Sequence, residues 1–304
     1  MEIIMILVDL NQVMISNLMV QIGGQKNIEL DEGLFRHMIL NSLRAARKKF
    51  NGSFGELVIC CDDKNFWRRK RFTHYKANRK KYREQSDIDW SNVFNILNKV
   101  RDEIDTYFPY KVIRVETAEA DDIIGTLAHA IINPMHFQAR YDVNLMHLKA
   151  EPILILSGDK DFIQLHRFPN VKQYDPVHKK WVKHKDPSRY LVEHIARGDR
   201  GDGVPNYISS DACFVNGQRQ KPLRAKYLSK LNGNADQIEN SFDNEEERRG
   251  WIRNKMLINL DYIPEDIQQQ VLNKFDTPDK GRDKMFNYFV KHKLKHLMED
   301  ISEF

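Results

Sequence analysis

Four hydrophobic stretches of this chain each run directly into acidic residues: EIIMILVD at Glu2–Asp9, ELVICCD at Glu56–Asp62, KVIRVETAEADD at Lys111–Asp122 and PILILSGDKD at Pro152–Asp161. Short apolar runs bounded by turn residues and separated by helical patterns predict buried strands of a parallel sheet. In an open α/β sheet, functional groups gather just beyond the carboxyl ends of the strands. Asp9, Asp62, Glu119, Asp121, Asp159 and Asp161 are therefore expected to meet at one end. So many carboxylates in one cleft repel each other and need a partner when buried. A hard divalent cation is that partner. Further on, GDRGDGV at Gly198–Val204 adds Asp199 and Asp202, on adjacent faces of a turn or helix start. Oxygen donors with no accompanying Cys or paired His suit Mg²⁺ or Mn²⁺ rather than zinc. Their excess over one ion's needs points to two ions, which about 4 Å apart serve phosphodiester cleavage. Any single acid could as readily cap a helix or favour its first turn. Thr117 with Glu119, Asp121 and Asp122 would fit that role. It is the set, at four strand ends, that carries the metal reading.

Between Lys64 and Arg83 the chain places ten Lys or Arg and no acid, interleaved with Phe66, Trp67, Phe72, Tyr75 and Tyr82. The segment carries +10 while the whole chain carries +5, so everything else sums to −5. A solvated charged face usually mixes signs. Single-sign charge neutralises phosphates, and interspersed rings stack on unpaired bases. Its internal position, between a strand and a helix, argues against a disordered basic tail. Contact with nucleic acid is expected here, through a segment that like-charge repulsion keeps mobile in the free protein and that phosphates would order.

The elements that must position these groups read as follows. Strands are predicted near Ile3–Val8, Leu57–Cys61, Lys111–Val115 and Ile153–Leu156, with a further pair at Val171–Tyr174 and Lys180–Lys183. Helices are predicted near Asp31–Phe50, Asp89–Tyr107 and Ala118–Ile132, with a turn of helix at Asp161–His166. Beyond about Ser188 the pattern is helical, near Ser188–Arg197, Pro222–Leu231, Asn244–Ile258, Glu265–Phe275 and Arg282–Met298. The expected fold is α/β: a central, mainly parallel sheet flanked by helices. Residues 1–185 would form the α/β domain, with the basic arch at 64–85, and 186–304 a mainly helical region.

The 304 residues suffice for one large domain or two small ones, and 41% hydrophobic with 30% charged residues is ordinary for a globular chain. The three cysteines are odd in number, and Cys60 and Cys61 are adjacent in a strand, pointing to opposite faces. No disulfide framework is indicated, and a reducing compartment such as the cytoplasm is expected. The N-terminal apolar run is too short to span a membrane and lacks a cleavage site, so it is read as the first strand. No other run approaches the roughly 20 apolar residues of a membrane span.

At these residues the chain resembles the structure-specific 5′ nuclease family, the flap endonucleases and polymerase-associated 5′–3′ exonucleases. The carrying pieces are VDLN at Val8–Asn11, CDD at Cys61–Asp63, YKANR at Tyr75–Arg79, EADD at Glu119–Asp122, SGDKDFIQL at Ser157–Leu165 and GDRGDGV. Each alone is weak; all six in this order are specific. Within the family the likeness is greatest to the ribonuclease H branch of T-even-type bacteriophages. It there covers FWRR at Phe66–Arg69, NVKQYDPVHKKWVK at Asn170–Lys183 and the SEF end, and so nearly the whole chain. The resemblance implies a 5′ nuclease fold related to PIN domains, and a nuclease that removes RNA primers and DNA flaps from RNA–DNA and DNA duplexes. It implies two Mg²⁺ ions, with Mn²⁺ able to substitute: Asp9, Asp62, Glu119, Asp121 and Asp159 around the first, Asp161 and Asp202 at the second with Asp199 nearby. Asp63 and Asp122 would support the site.

Lys76 and Arg79 match the family's catalytic basic pair. Arg68, Arg69, Lys70, Arg71, Tyr75, Lys80, Lys81, Tyr82 and Arg83 are expected to meet nucleic acid. One departure stands out. Pro205–Leu223 lacks the glycines of the family's helix-hairpin-helix, so the K⁺ ion often held there is left open, and duplex contact falls to Arg219, Lys221, Arg224 and Lys226. The C-terminus carries no QxxLxxFF-type clamp motif. The single-stranded-DNA-binding protein and sliding clamp of a replication machinery would dock otherwise, on a monomer. Two rival readings remain: a PIN-type ribonuclease, usually much shorter and without the arch, and a non-catalytic binder of branched nucleic acid, whose signature would be lost carboxylates.

Overall fold

The computed structural model describes residues 5–22, 30–86, 88–132, 152–229 and 231–304. Six strands form one sheet: β1 (Met5–Asp9), β2 (Glu56–Cys61), β3 (Lys111–Arg114), β4 (Ile153–Leu156), β5 (Val171–Asp175) and β6 (Lys180–Val182). Their order is β3-β2-β1-β4-β5-β6; the first five run parallel and β6 pairs antiparallel with β5. The order reverses direction between β1 and β4, the switch point where open α/β sheets place their sites. All six predicted strands are present; the start of the first, Ile3 and Ile4, lies outside the described residues.

Both sheet faces are covered, which is why the strands read as continuous apolar runs rather than alternating ones. Successive side chains divide between the faces. Ile6, Val8, Ile59 and Cys61 pack on one side with α1 (Leu10–Ile22), α2 (Glu32–Phe54) and, beyond the basic segment, α5 (Trp90–Tyr107). Between α2 and α5 lie two short helices, α3 (Trp67–Arg71) and α4 (Ala77–Glu84). Met5, Leu7, Val58 and Cys60 pack on the opposite side with α6 (Ala120–Ile132). Each fully buried Leu or Ile in such a layer stabilises by about 1.5–3 kcal/mol. The adjacent Cys60 and Cys61 thus occupy different cores, both as free thiols.

The helices that follow β6 are α7 (Pro187–Arg197), α8 (Ala225–Leu228), α9 (Ala235–Glu239), α10 (Glu245–Ile258), α11 (Glu265–Phe275), α12 (Met285–Lys291) and α13 (Lys295–Glu299). They do not stand apart from the sheet. Ile267, Val271 and Leu272 of α11 join the α6 core, while Tyr288, Phe289 and Phe304 join the α2 core. A third core holds Leu191, Ile195, Tyr207 and Trp251 together with Phe72 and Tyr75 of the basic segment.

Several elements differ from the sequence reading, which expected no helix at α3, α4 or α9. Helix α1 was not predicted, because its start continues the apolar run of β1 with no intervening turn. The single helix expected over Arg282–Met298 is two, broken where Lys293 adopts φ 54°. The expected helix Pro222–Leu231 shortens to α8.

Candidate active site

Asp9 closes β1, Asp62 follows β2, Asp159 and Asp161 follow β4, and Glu119 and Asp121 open α6. The sheet register sets Asp9 against Cys60, two residues before Asp62. Neutral groups fix these acids. Asp62 accepts from Asn11 Nδ2 at 2.5 Å and from the Ala120 amide at 2.7 Å. Asp9 accepts from the Gln12 amide at 3.1 Å and Ser157 Oγ at 3.2 Å. Asp159 accepts from the Asp161 amide at 2.9 Å, capping the 3₁₀ helix Lys160–Arg167. Asn11 and Ser157 fall within the VDLN and SGDKDFIQL motifs but had no role of their own in the sequence reading, and Gln12, just past the first motif, was not named.

None of Asp9, Asp62, Asp121 or Asp159 has an ion-pair partner among the described residues. Burial first, then the charges of Asp62 and Asp159, push Asp9 up to about 7. Burial and the neighbouring Asp161 push Asp159 up to about 6. Asp121 rises well above the usual range through burial, Asp159 and Asp9, and Asp62 rises mainly through burial. The cleft holds more negative charge than the protein neutralises. Hard oxygen donors in that electrostatic condition fit divalent cations.

The second acidic pair is delivered by a tight turn after α7. Gly198 at φ 68° and Gly203 at φ 75° lie in the left-handed region. A side chain at Gly203 would come within 2.9 Å of the His74 carbonyl, so glycine lets this turn press against the basic segment. There the Lys76 amide donates to the Asp202 carbonyl at 2.7 Å. Asp199 accepts from the Asp202 amide at 3.0 Å. Burial and then Asp202 and Asp161 raise Asp199. Burial also works to raise Asp202, but Lys76 and Arg79 outweigh it and hold Asp202 below the usual range.

One residue absent from the sequence reading joins this end of the cleft. His194, on the last turn of α7, places Nε2 2.8 Å from Asp161 and 4.0 Å from Asp199. The three could together hold a metal ion. A histidine five residues before the first acid of GDRGD was the available signal, passed over because only paired histidines were considered.

The basic segment divides. Lys76, at φ 55°, is buried, its ammonium on Glu119 and 3.6 Å from Asp202; Arg79 reaches Asp202 at 2.5 Å from a half-exposed position. Arg68 and Tyr75 differ from expectation. Arg68 is buried, with its guanidinium 2.9 Å from Glu119 and 2.8 Å from Asp122 and its Nε donating to the Leu257 carbonyl at 2.8 Å. Tyr75 donates its hydroxyl toward Glu119 (2.9 Å) and Asp202 (2.8 Å). Both face the protein's own carboxylates, because charge fully enclosed in protein must find a partner there. The inner part of the expected mobile arch is accordingly packed, with Trp67 and Phe72 buried as well. Asp63 pairs with Arg114 at 2.7 Å, and Asp122 serves Arg68 and the Trp67 indole.

The remaining basic residues whose side chains are described are not brought to the carboxylates. Arg69, Lys70, Arg71, Tyr82 and Arg83 are exposed, with Arg83 over the Phe94 ring at 4.8 Å. Arg219, Lys221 and Arg224 are exposed on the helical side, where Lys221 and Arg224 line a cavity of about 570 Å³ with Tyr207, Ser209 and Arg249. The side chains of Lys80, Lys81 and Lys226 lie outside the described residues.

Residues 26–194 match the model of the 5′-3′ exonuclease N-terminal resolvase-like domain, and residues 187–304 that of the T4 RNase H C-terminal domain. The ribonuclease H of Enterobacteria phage T4 is 35% identical over 309 aligned residues, covering 98% of this chain and 95% of that one. The chain belongs to the 5′–3′ exonuclease family, in its phage ribonuclease H branch. It is a hydrolytic nuclease. The fold is shared with the T5 D15 protein co-crystallised with metal ions (TM-score 0.61, 14% identity, 88% of this chain and 97% of that one). It is shared equally with the T5 D15 flap endonuclease in a pseudo-enzyme–product complex with DNA and metal ions (TM-score 0.62, 15% identity, 88% and 96%).

Proposed function

We propose that this nuclease removes RNA primers and short DNA flaps from the 5′ ends of RNA–DNA and DNA duplexes during phage-type replication, using two Mg²⁺ ions for which Mn²⁺ can substitute. The observation that carries the reading is the meeting, at the sheet's switch point, of an under-neutralised carboxylate cleft with Lys76 and Arg79. Asp9, Asp62, Glu119, Asp121 and Asp159 would hold one cation, and Asp161 and Asp202 the other with Asp199 beside it. Bound there, such cations supply Lewis-acid stabilisation of the phosphodiester and a more acidic attacking water. The chain's own contribution is placement and charge. Asn11, Ser157 and the Ala120 amide keep Asp62 and Asp9 aimed into the cleft. Lys76 and Arg79 set positive charge where the scissile phosphate gathers negative charge. No side chain need form a covalent intermediate.

The exposed Arg69, Lys70, Arg71, Tyr82 and Arg83, with Lys80 and Lys81, would guide the single-stranded 5′ end. Arg219, Lys221, Arg224 and Lys226, in the helical region from 186 onward, would hold the duplex. We place the protein, as a monomer, in the cytoplasm of the host cell beside the single-stranded-DNA-binding protein and sliding clamp; no helix among the described residues is long and apolar enough to cross a membrane. A 5′-labelled flap duplex tests the reading. Short 5′ products should appear with Mg²⁺, vanish with EDTA and be lost in Asp9→Asn while the variant still binds the flap. Cleavage that survives EDTA, or an Asp9→Asn rate near wild type, contradicts it.

A further inference from the structure

We infer that His194 is a nitrogen donor to the cation on the Asp161 side of the cleft, giving that position a mixed nitrogen–oxygen set that binds borderline first-row ions such as Mn²⁺, Co²⁺ and Zn²⁺ more tightly than the Mg²⁺ it would use in the cell. The inference rests on the two-cation reading above and sharpens one of its sites.

The placement is built by the local fold. Helix α7 ends at Gly198, whose amide donates to the His194 carbonyl at 2.9 Å, and the left-handed glycine turns the chain so that Asp199 returns beside the imidazole. Tyr190, one turn earlier, lays its ring 5.8 Å from that of His194 at 32°, limiting how the imidazole can swing. Asp161 arrives from the opposite side on the 3₁₀ helix after β4. His194, Asp161 and Asp199 keep side-chain exposures of 15, 20 and 27%, open enough for an ion to enter. In the metal-free cleft His194 Nε2 and Asp161 Oδ1 share a hydrogen bond at 2.8 Å and Asp199 lies 4.0 Å away; a bound ion would take the place of the shared proton, and the two separations bracket the spacing of donors on one small ion. Two donors each about 2.1 Å from a tetrahedral ion lie about 3.4 Å apart. Small side-chain adjustments convert one arrangement into the other. The chemistry follows from ligand type: imidazole suits Zn²⁺ and its neighbours, whereas Mg²⁺ prefers oxygen and retains water.

Pulsed EPR of the full-length protein loaded with Mn²⁺ tests this. The wild type should show coupling to a directly bound ¹⁴N, changed by ¹⁵N-labelling of histidine and absent in His194→Gln. Zn²⁺ affinity, measured by calorimetry, should fall about 10- to 100-fold in that variant, with Mg²⁺ affinity moving far less. The histidine labelling gives an answer even if the variant folds poorly. Bound Mn²⁺ with an oxygen-only shell, nitrogen coupling that persists in His194→Gln, or equal losses for Zn²⁺ and Mg²⁺ would each overturn the inference and leave the nuclease reading standing. If no Mn²⁺ binds the cleft at all, the inference falls together with the two-cation reading beneath it.

Discussion

Residues 67–76 and 77–86 of the basic segment are built from the same kinds of side chain, yet they meet different fates. In the first part Trp67, Arg68, Phe72, Tyr75 and Lys76 are buried, and their polar ends pair with Glu119, Asp122 and Asp202, while Arg69, Lys70 and Arg71 on the other side of α3 stay exposed. In the second, Arg79 keeps one contact with Asp202, Tyr82 is exposed, and Arg83 is exposed over the Phe94 ring. The difference lies in what each part can reach. Charge within reach of the carboxylates is desolvated and fixed, and becomes part of the site. Charge beyond that reach stays hydrated, available to an external polyanion. One run of sequence therefore supplies both an internal counter-charge and an exposed basic surface.

The sharpest way to break that comparison is to remove the buried partner. Arg68→Ala leaves Glu119 and Asp122 enclosed without a guanidinium and strands the Leu257 carbonyl. We expect a loss of about 3–5 kcal/mol in denaturant unfolding. Arg69→Ala, one residue on and exposed, should cost within about 0.5 kcal/mol. Equal costs would show that the inner half is not fixed as described.

On the proposed reading, in which Lys76 sets charge against the transition state, Lys76→Ala should lower the single-turnover cleavage rate by about 10²–10³-fold while flap affinity changes little. A loss confined to affinity would move Lys76 to the outer class.

A third expectation concerns pH in the metal-free protein. Asp9 and Asp159 hold protons more tightly folded than unfolded, near 7 and 6 against the usual 3.8. The stability they contribute is complete below about pH 4 and is lost as pH rises through 6 and 7. In EDTA, Tm should fall from pH 5 to 8, and Mn²⁺ should raise it more at pH 8 than at pH 5. A flat profile would show that the cleft is not under-neutralised.

The smallest effect belongs to the outer surface. Arg69→Ala, Lys70→Ala and Arg83→Ala should each weaken flap binding modestly and lower the salt slope by about 1, with the cleavage step intact. Unchanged slopes would remove these residues from the interface.

Much of this site was legible because it rests on local signals. Strand-end acids are visible as apolar runs that stop at Asp or Glu, and the sheet topology then gathers them without further help. What could not be read depends on long-range packing. Arg68 looks like any other member of the basic run until Leu257, some 189 residues later, is seen to receive its Nε. Tyr75 looks like a stacking ring until Glu119 and Asp202 appear beside its hydroxyl. Helix α1 was hidden because it follows β1 immediately and is apolar on several sides, so no change of period marks its start. His194 was hidden because its role depends on a glycine turn that brings Asp199 back past the end of α7.

The most direct test of the central claim, that the carboxylates at the strand ends exist to hold divalent cations, is anomalous scattering from crystals soaked in Mn²⁺. The account predicts two peaks in the cleft: one among Asp9, Asp62, Glu119, Asp121 and Asp159, the other beside Asp161, His194, Asp199 and Asp202. A cleft without peaks, or manganese bound only elsewhere on the protein, would contradict it.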